Sequence, residues 1–164
     1  MGNIARLASA FGAIGIVGTA GVTSVDAQTA AACETFTVSS DGSARVVDYV
    51  DLAAPGPTPG DMRVGQRDLI DADGAEAGTY RWLLTQLPGD KLHGQMIFEL
   101  PGGQLFAERL ADAVRPTDDV GQVSISGHTA VITGGNGVFD DAHGTVTVVF
   151  DGIGATYRVN VRCG

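Results

Sequence analysis

From residue 34 onward the chain is a succession of short runs rich in Val, Ile, Thr, Tyr and Phe, each cut off by a glycine pair, an Asp-Gly step or a Pro-Gly step. Runs of this length and composition are strands. The intervals between them are too short for crossover helices, so neighbouring strands pair antiparallel as a meander. The expected strands are 34–39, 45–52, 62–70, 79–86, 92–100, 103–110, 122–126, 129–133, 144–150 and 155–163. Turns are expected where positive or fixed φ is needed: Asp41-Gly42, Pro55-Gly56-Pro57, Asp73-Gly74, Pro88-Gly89-Asp90, Pro101-Gly102-Gly103 and Gly134-Gly135-Asn136-Gly137. Ala, Glu and Arg accumulate over 105–114, where a strand followed by a loop is preferred to a helix.

Alternation assigns faces. In the last run Tyr157, Val159, Val161 and Cys163 share one side, and Thr156, Arg158, Asn160 and Arg162 the other. Leu92, Gly94, Met96, Phe98 and Leu100 likewise oppose His93, Gln95, Ile97 and Glu99, with Tyr80, Trp82 and Leu84 pointing inward beside them. About eight strands with one apolar face each must stack as a sandwich or close on themselves, and closure also removes exposed edges. The expected fold is therefore all-β, a single antiparallel eight-stranded barrel filled by side chains or holding one small ligand. Tyr49, Tyr80, Trp82, Phe98 and Tyr157 are the aromatics best able to line such a lumen.

Ahead of this domain, residues 1–27 carry Arg6, an uncharged stretch over 7–25 and then Val25-Asp26-Ala27, the layout of a secretory signal peptide cleaved after Ala27. Gly12, Gly15, Gly18 and Gly21 weaken that stretch as a membrane span, and Ala30-Ala31-Ala32-Cys33 lacks the large aliphatic residue of a lipidation site. The expectation is a secreted or periplasmic protein with one domain over 28–164 and no membrane attachment after processing. Its net charge of −9, with no basic cluster, disfavours binding to nucleic acid or anionic lipid. Cys33 and Cys163 are the only cysteines, and in an oxidising compartment they are expected to form one disulfide joining the two ends; the alternative is two unrelated thiols.

Ile132-Thr133-Gly134-Gly135-Asn136-Gly137-Val138-Phe139, followed by Ala142-His143-Gly144, is not a phosphate loop, since no Lys-Ser/Thr follows and no helix opens there. It is expected to be a tight turn with Phe139 tucked back as a plug. The segment resembles the I/V-T-G-G-x-G-x-F/Y-x-x-A-x-G stretch of the allene oxide cyclase and dirigent proteins. Val50-Asp51-Leu52 through Pro59-Gly60-Asp61 to Asp68, Leu69 and Asp71, and the Pro101-Gly102-Gly103-Gln104-Leu105 hairpin, are similar to further segments of that family in the same order. The resemblance implies the barrel fold and a small apolar ligand whose cyclisation or isomerisation is guided without a cofactor, and it leaves homo-oligomerisation open. A non-catalytic binding module and a structural protein with a filled barrel are the alternatives. The catalytic set does not carry over: plant allene oxide cyclases have a glutamate in the first strand, where this chain has Phe36-Thr37-Val38-Ser39-Ser40 with Glu34 out of register, and dirigent proteins usually have arginine where this chain has His143. Catalytic residues are therefore unassigned.

The remaining polar candidates are weak ones. Asp48 and Asp51 are three apart on a strand and face opposite ways, so at most one reaches the lumen. Asp140, Asp141 and His143 lack a fourth ligand, so no metal site is expected. His93 and His128 are expected at the surface, as is Arg81 by its alternation with Trp82.

Overall fold

The computed structural model describes residues 33–42, 46–53, 58–112 and 127–164. The signal-like residues 1–27, the Pro55-Gly56-Pro57 turn and the expected strand at 122–126 lie outside the described residues.

The β-branched and aromatic runs form nine strands: β1 Phe36–Ser40, β2 Val46–Val50, β3 Met62–Ile70, β4 Glu76–Leu87, β5 Lys91–Leu100, β6 Gly103–Asp112, β7 His128–Gly137, β8 His143–Asp151 and β9 Gly154–Arg162. Every pairing is antiparallel. The order β1-β9-β8-β7-β6-β5-β4-β3 returns to β1 through the Ser39–Ile70 pair, which closes an eight-stranded barrel. Over 105–112 the chain is strand, as preferred. One segment departs from the simple meander: β2 is not a stave of the ring. It occupies the same edge of β3 as β1 does, pairing Val46 with Gln66 through Val50 with Met62 beyond the single β1 bridge. All five of its residues are exposed, so it extends the wall past one end of the barrel.

Alternation decides the interior. β9 buries Ala155, Tyr157, Val159 and Val161 and exposes Thr156, Arg158, Asn160 and Arg162. The same register continues around the ring through Val146, Val148, Ala130, Ile132, Leu105, Ala107, Met96, Phe98, Tyr80, Leu69 and Val38. Phe98 and Leu69 are fully enclosed, and burying side chains of this size stabilises by about 1.5–3 kcal/mol each.

The strand directions give the barrel two distinct ends. The hairpin between β7 and β8 closes one: Phe139 is 3% exposed and joins the core, and beside it Cys33 is disulfide-bonded to Cys163. The glycine run is not itself the turn, as β7 continues through Gly137 and the chain reverses only at 138–142. Gly137 supplies a left-handed φ of 64° as the strand ends. Gly135 instead permits close approach, because a Cβ there would lie 2.4 Å from the Phe139 carbonyl oxygen. The run is thus the seat on which Phe139 folds back. At the other end lie the hairpins at 88–90 and 152–153 and the C-terminal end of β6.

Candidate functional site

Four of the five expected aromatics converge inside the ring. Tyr80 stacks on Trp82 with ring centroids 5.3 Å apart, packs against Phe98 at 5.0 Å and meets Tyr157 at 4.7 Å; Phe98 meets Tyr157 edge-on at 5.5 Å. Aromatic pairs in contact of this kind add about 0.5–1.5 kcal/mol per pair beyond burial. Tyr49 does not join them. It sits on β2, outside the closed ring, 47% exposed, and its hydroxyl donates to Asp61 Oδ2 at 2.9 Å. Asp61 also accepts from the Leu52 and Thr58 amides, which hold its carboxyl well below the usual range, at about 2. Tyr49 and Asp61 are therefore a clasp that fastens β2 and the segment after it.

Against the aromatic wall stand polar groups that strand alternation carries inward. Arg67 lies two residues before Leu69 and is 7% exposed; Arg109 lies two after Ala107 and is 8% exposed. The Arg67 guanidinium lies over the Trp82 ring at 5.6 Å and donates through Nη1 to Ser40 Oγ at 3.4 Å. Arg109 faces Gly94 across the β5–β6 ladder, and a Cβ on Gly94 would lie 3.0 Å from Arg109 Nε, so the glycine makes room for the side chain. Gly65 does the same for Trp82, whose Cζ2 would lie 2.2 Å from a Cβ at that position. Both large site side chains thus face a glycine in the adjacent strand.

The electrostatics are those of cations in an apolar enclosure. Burial pushes the Tyr80 hydroxyl above its ordinary range, with the Tyr157 ring adding to it and Arg109 and Arg67 opposing it. Burial also raises Tyr157, opposed by Arg67 and Ser40. Both phenols are therefore neutral O–H groups. Burial lowers Arg109, though a guanidinium stays charged under any ordinary condition. His128, expected at the surface, is half-buried next to Phe150, at 5.8 Å between rings, with both ring nitrogens enclosed. Burial first, and then the Arg109 cation, depress it to about 4, so it is a neutral imidazole. It faces inward because β7 begins at His128 in register with Ala130 and Ile132.

The other candidates stay outside. Asp48 is exposed on β2, Asp51 is exposed after it, and Asp140, Asp141 and His143 are exposed around the plug hairpin. Among the described residues no three His, Cys, Asp or Glu side chains gather as a metal site. His93 pairs with Glu108 and Arg81 with Glu99 on the outer wall. A groove of about 400 Å³, lined by Val46, Val64, Leu83 and Ile97 among others, opens beside β2 and reaches the cluster at Trp82 and Gly65.

The sequence matches no family profile and no curated protein. Solved structures do match in shape. A structure titled pyocyanin demethylase superposes with a TM-score of 0.62 at 22% identity, over 77% of this chain and 98% of that one. A Diels–Alderase from Streptomyces koyangensis gives 0.57 at 16% identity, over 80% of this chain and 63% of that one. A pterocarpan synthase dirigent protein gives 0.52 at 15% identity, over 77% and 86%. The fold is that of the barrel-type cyclases and dirigent proteins. At these identities the likeness establishes architecture alone.

Proposed function

We propose that this chain is an exported barrel that binds a small, largely apolar molecule in its lumen and guides its cyclisation or isomerisation without a cofactor. The observation that carries the reading is the composition of the lumen: an aromatic wall of Tyr80, Trp82, Phe98 and Tyr157 beside buried arginines that have no counter-charge among the described residues. A barrel built only for stability would fill its interior with aliphatic side chains, because buried unpaired charges oppose folding. The solved structures of like fold include proteins titled a Diels–Alderase and a pterocarpan synthase dirigent protein, which supports cyclisation as the reaction class.

The geometry suits catalysis by confinement. Rings fixed against one another hold a flexible substrate in one reactive conformer, which removes entropy from the barrier. The neutral hydroxyls of Tyr80 and Tyr157 can donate to an oxygen on which negative charge develops, and the guanidiniums stabilise that charge in a site shielded from water. Neutral His128, enclosed beside Phe150, is a further group able to accept a proton. Native mass spectrometry of protein purified from its host, followed by incubation with the extracted compound, tests the proposal. A copurified lipophilic ligand that is converted to an isomer of equal mass is expected. A ligand returned unchanged would leave a binding module without turnover, and an empty lumen that takes up no lipophilic compound would overturn the reading.

A further inference from the structure

Among the described residues the two lumen arginines have no counter-charge. The chain carries 19 acidic residues against 10 basic ones, yet the described ion pairs, Arg81 with Glu99, Lys91 with Asp112 and His93 with Glu108, all lie on the outer wall. The one buried acid among the described residues, Asp61, is committed to Tyr49, Leu52 and Thr58. Inside, Arg67 Nε, Arg109 Nε and Arg109 Nη1 are enclosed with no hydrogen-bond partner among the described residues. Buried donors are almost always satisfied, and a charged one left bare is more costly than a neutral one. Arg67 lies across the β3–β4 ladder from Tyr80 and over Trp82, which stacks on Tyr80, while Arg109 is turned inward opposite Gly94 on the far side of β5.

We propose that the lumen takes a small organic anion, a carboxylate or an acidic enol or phenol on an apolar frame, with its charged oxygens set among the bare donors of Arg67 and Arg109. This deepens the lumen-ligand reading above and rests on it. The anion supplies what the fold omits: acceptors for the bare guanidinium hydrogens and a charge opposite to theirs. A guanidinium presents a planar fork of donors that fits two equivalent charged oxygens in one plane, which a carboxylate offers and an amide or ester does not. The aromatic faces then receive the frame, and the outward-facing acids deter the same anion from binding elsewhere.

Trp82 is the single tryptophan of the chain and lies under Arg67, so its fluorescence reports directly on this place. The probes are 3-phenylpropionate and its uncharged counterpart 3-phenylpropanamide, titrated into the intact barrel with the disulfide formed, with calorimetry alongside. The carboxylate is expected to bind at least about tenfold more tightly than the amide. Arg67→Met and Arg109→Met should each reduce that preference to about threefold or less, and Arg109→Lys, which keeps the charge, should retain most of it. Circular dichroism and thermal melts establish that each variant is folded. Equal affinity for the two probes, or a preference that survives both methionine substitutions, would overturn the anion proposal while leaving a lumen site in place. Displacement of the carboxylate by inorganic phosphate at equal concentration would reduce the site to an adventitious ion only. Binding of neither probe would instead remove the lumen-ligand reading on which the proposal rests.

Discussion

The pH dependence of stability should carry a signature of His128. Its ring nitrogens are enclosed without partners among the described residues, and burial together with the nearby Arg109 depresses it from 6.5 to about 4. In the unfolded chain the imidazole takes up a proton as pH falls through 6.5, whereas in the folded barrel it stays neutral until about 4. Between those values unfolding binds a proton, so the contribution of this residue is fully present above 6.5, declines as pH falls and is gone below about 4. At about 1.36 kcal/mol per pH unit the limit is about 3 kcal/mol, and because the ring is only half-buried, solvent screening reduces this to about 1–2 kcal/mol. Urea unfolding at pH 7 and at pH 4.5 measures it. Carboxylates titrate over the same interval, so the informative quantity is the difference between the parent and His128→Phe or His128→Gln. The parent should lose about 1–2 kcal/mol more than either variant on acidification. An equal loss, or a larger loss in the variants, would refute the assignment of His128 as a neutral lumen imidazole.

Three further outcomes are expected. Arg109→Met should raise the ligand-free barrel's stability by about 1–3 kcal/mol, read as an increase in Tm of several degrees, because it removes a buried charge with two bare donors; a fall in Tm would show that the arginine serves the fold. Phe139→Ala should cost about 3–5 kcal/mol in a denaturant melt, since it empties the plugged end, whereas His143→Ala on the exposed side of the same hairpin should cost little. Reducing the Cys33–Cys163 bond, whose partners are 130 residues apart, should cost about 4–5 kcal/mol, measured by comparing unfolding with and without reductant, and labelling of the unreduced denatured protein should find no free thiol.

Much of this architecture was legible because strand alternation is a direct record of which side faces the core. It placed Tyr80, Trp82, Phe98 and Tyr157 in one interior, and two lone cysteines at the two ends of the domain pointed to their bond. Tyr49 was misplaced for a physical reason: alternation says how residues divide between faces, and whether a strand belongs to the ring depends on which edge it pairs with. β1 and β2 share an edge of β3, and only the structure reveals that sharing. Arg67 and Arg109 were readable in principle, since each continues the inward series of Leu69 and of Leu105 and Ala107. A lone arginine in a strand is ordinarily solvent-facing, and that expectation hid them. Their confirming signal, a glycine directly across the ladder from a large side chain, depends on register and so on the lengths of the intervening turns. His128 was hidden similarly, because a histidine after a turn glycine carries no periodic context on its N-terminal side.

The bond between Cys33 and Cys163 also alters what it means for this molecule to have a beginning. β1 lies beside β9, and the sulfur bridge joins the approach to the one with the exit from the other. From residue 33 onward the covalent path is thus a closed circuit running once around the barrel wall, and the point at which the ribosome opened it is geometrically arbitrary. A peptide linker replacing the bridge, with new termini cut at the 152–153 hairpin, would trace the same circuit and retain every stave between them. Evolution of such a barrel is therefore free to move its termini among hairpins, so long as the inward order of aromatic, arginine and glycine is preserved around the ring.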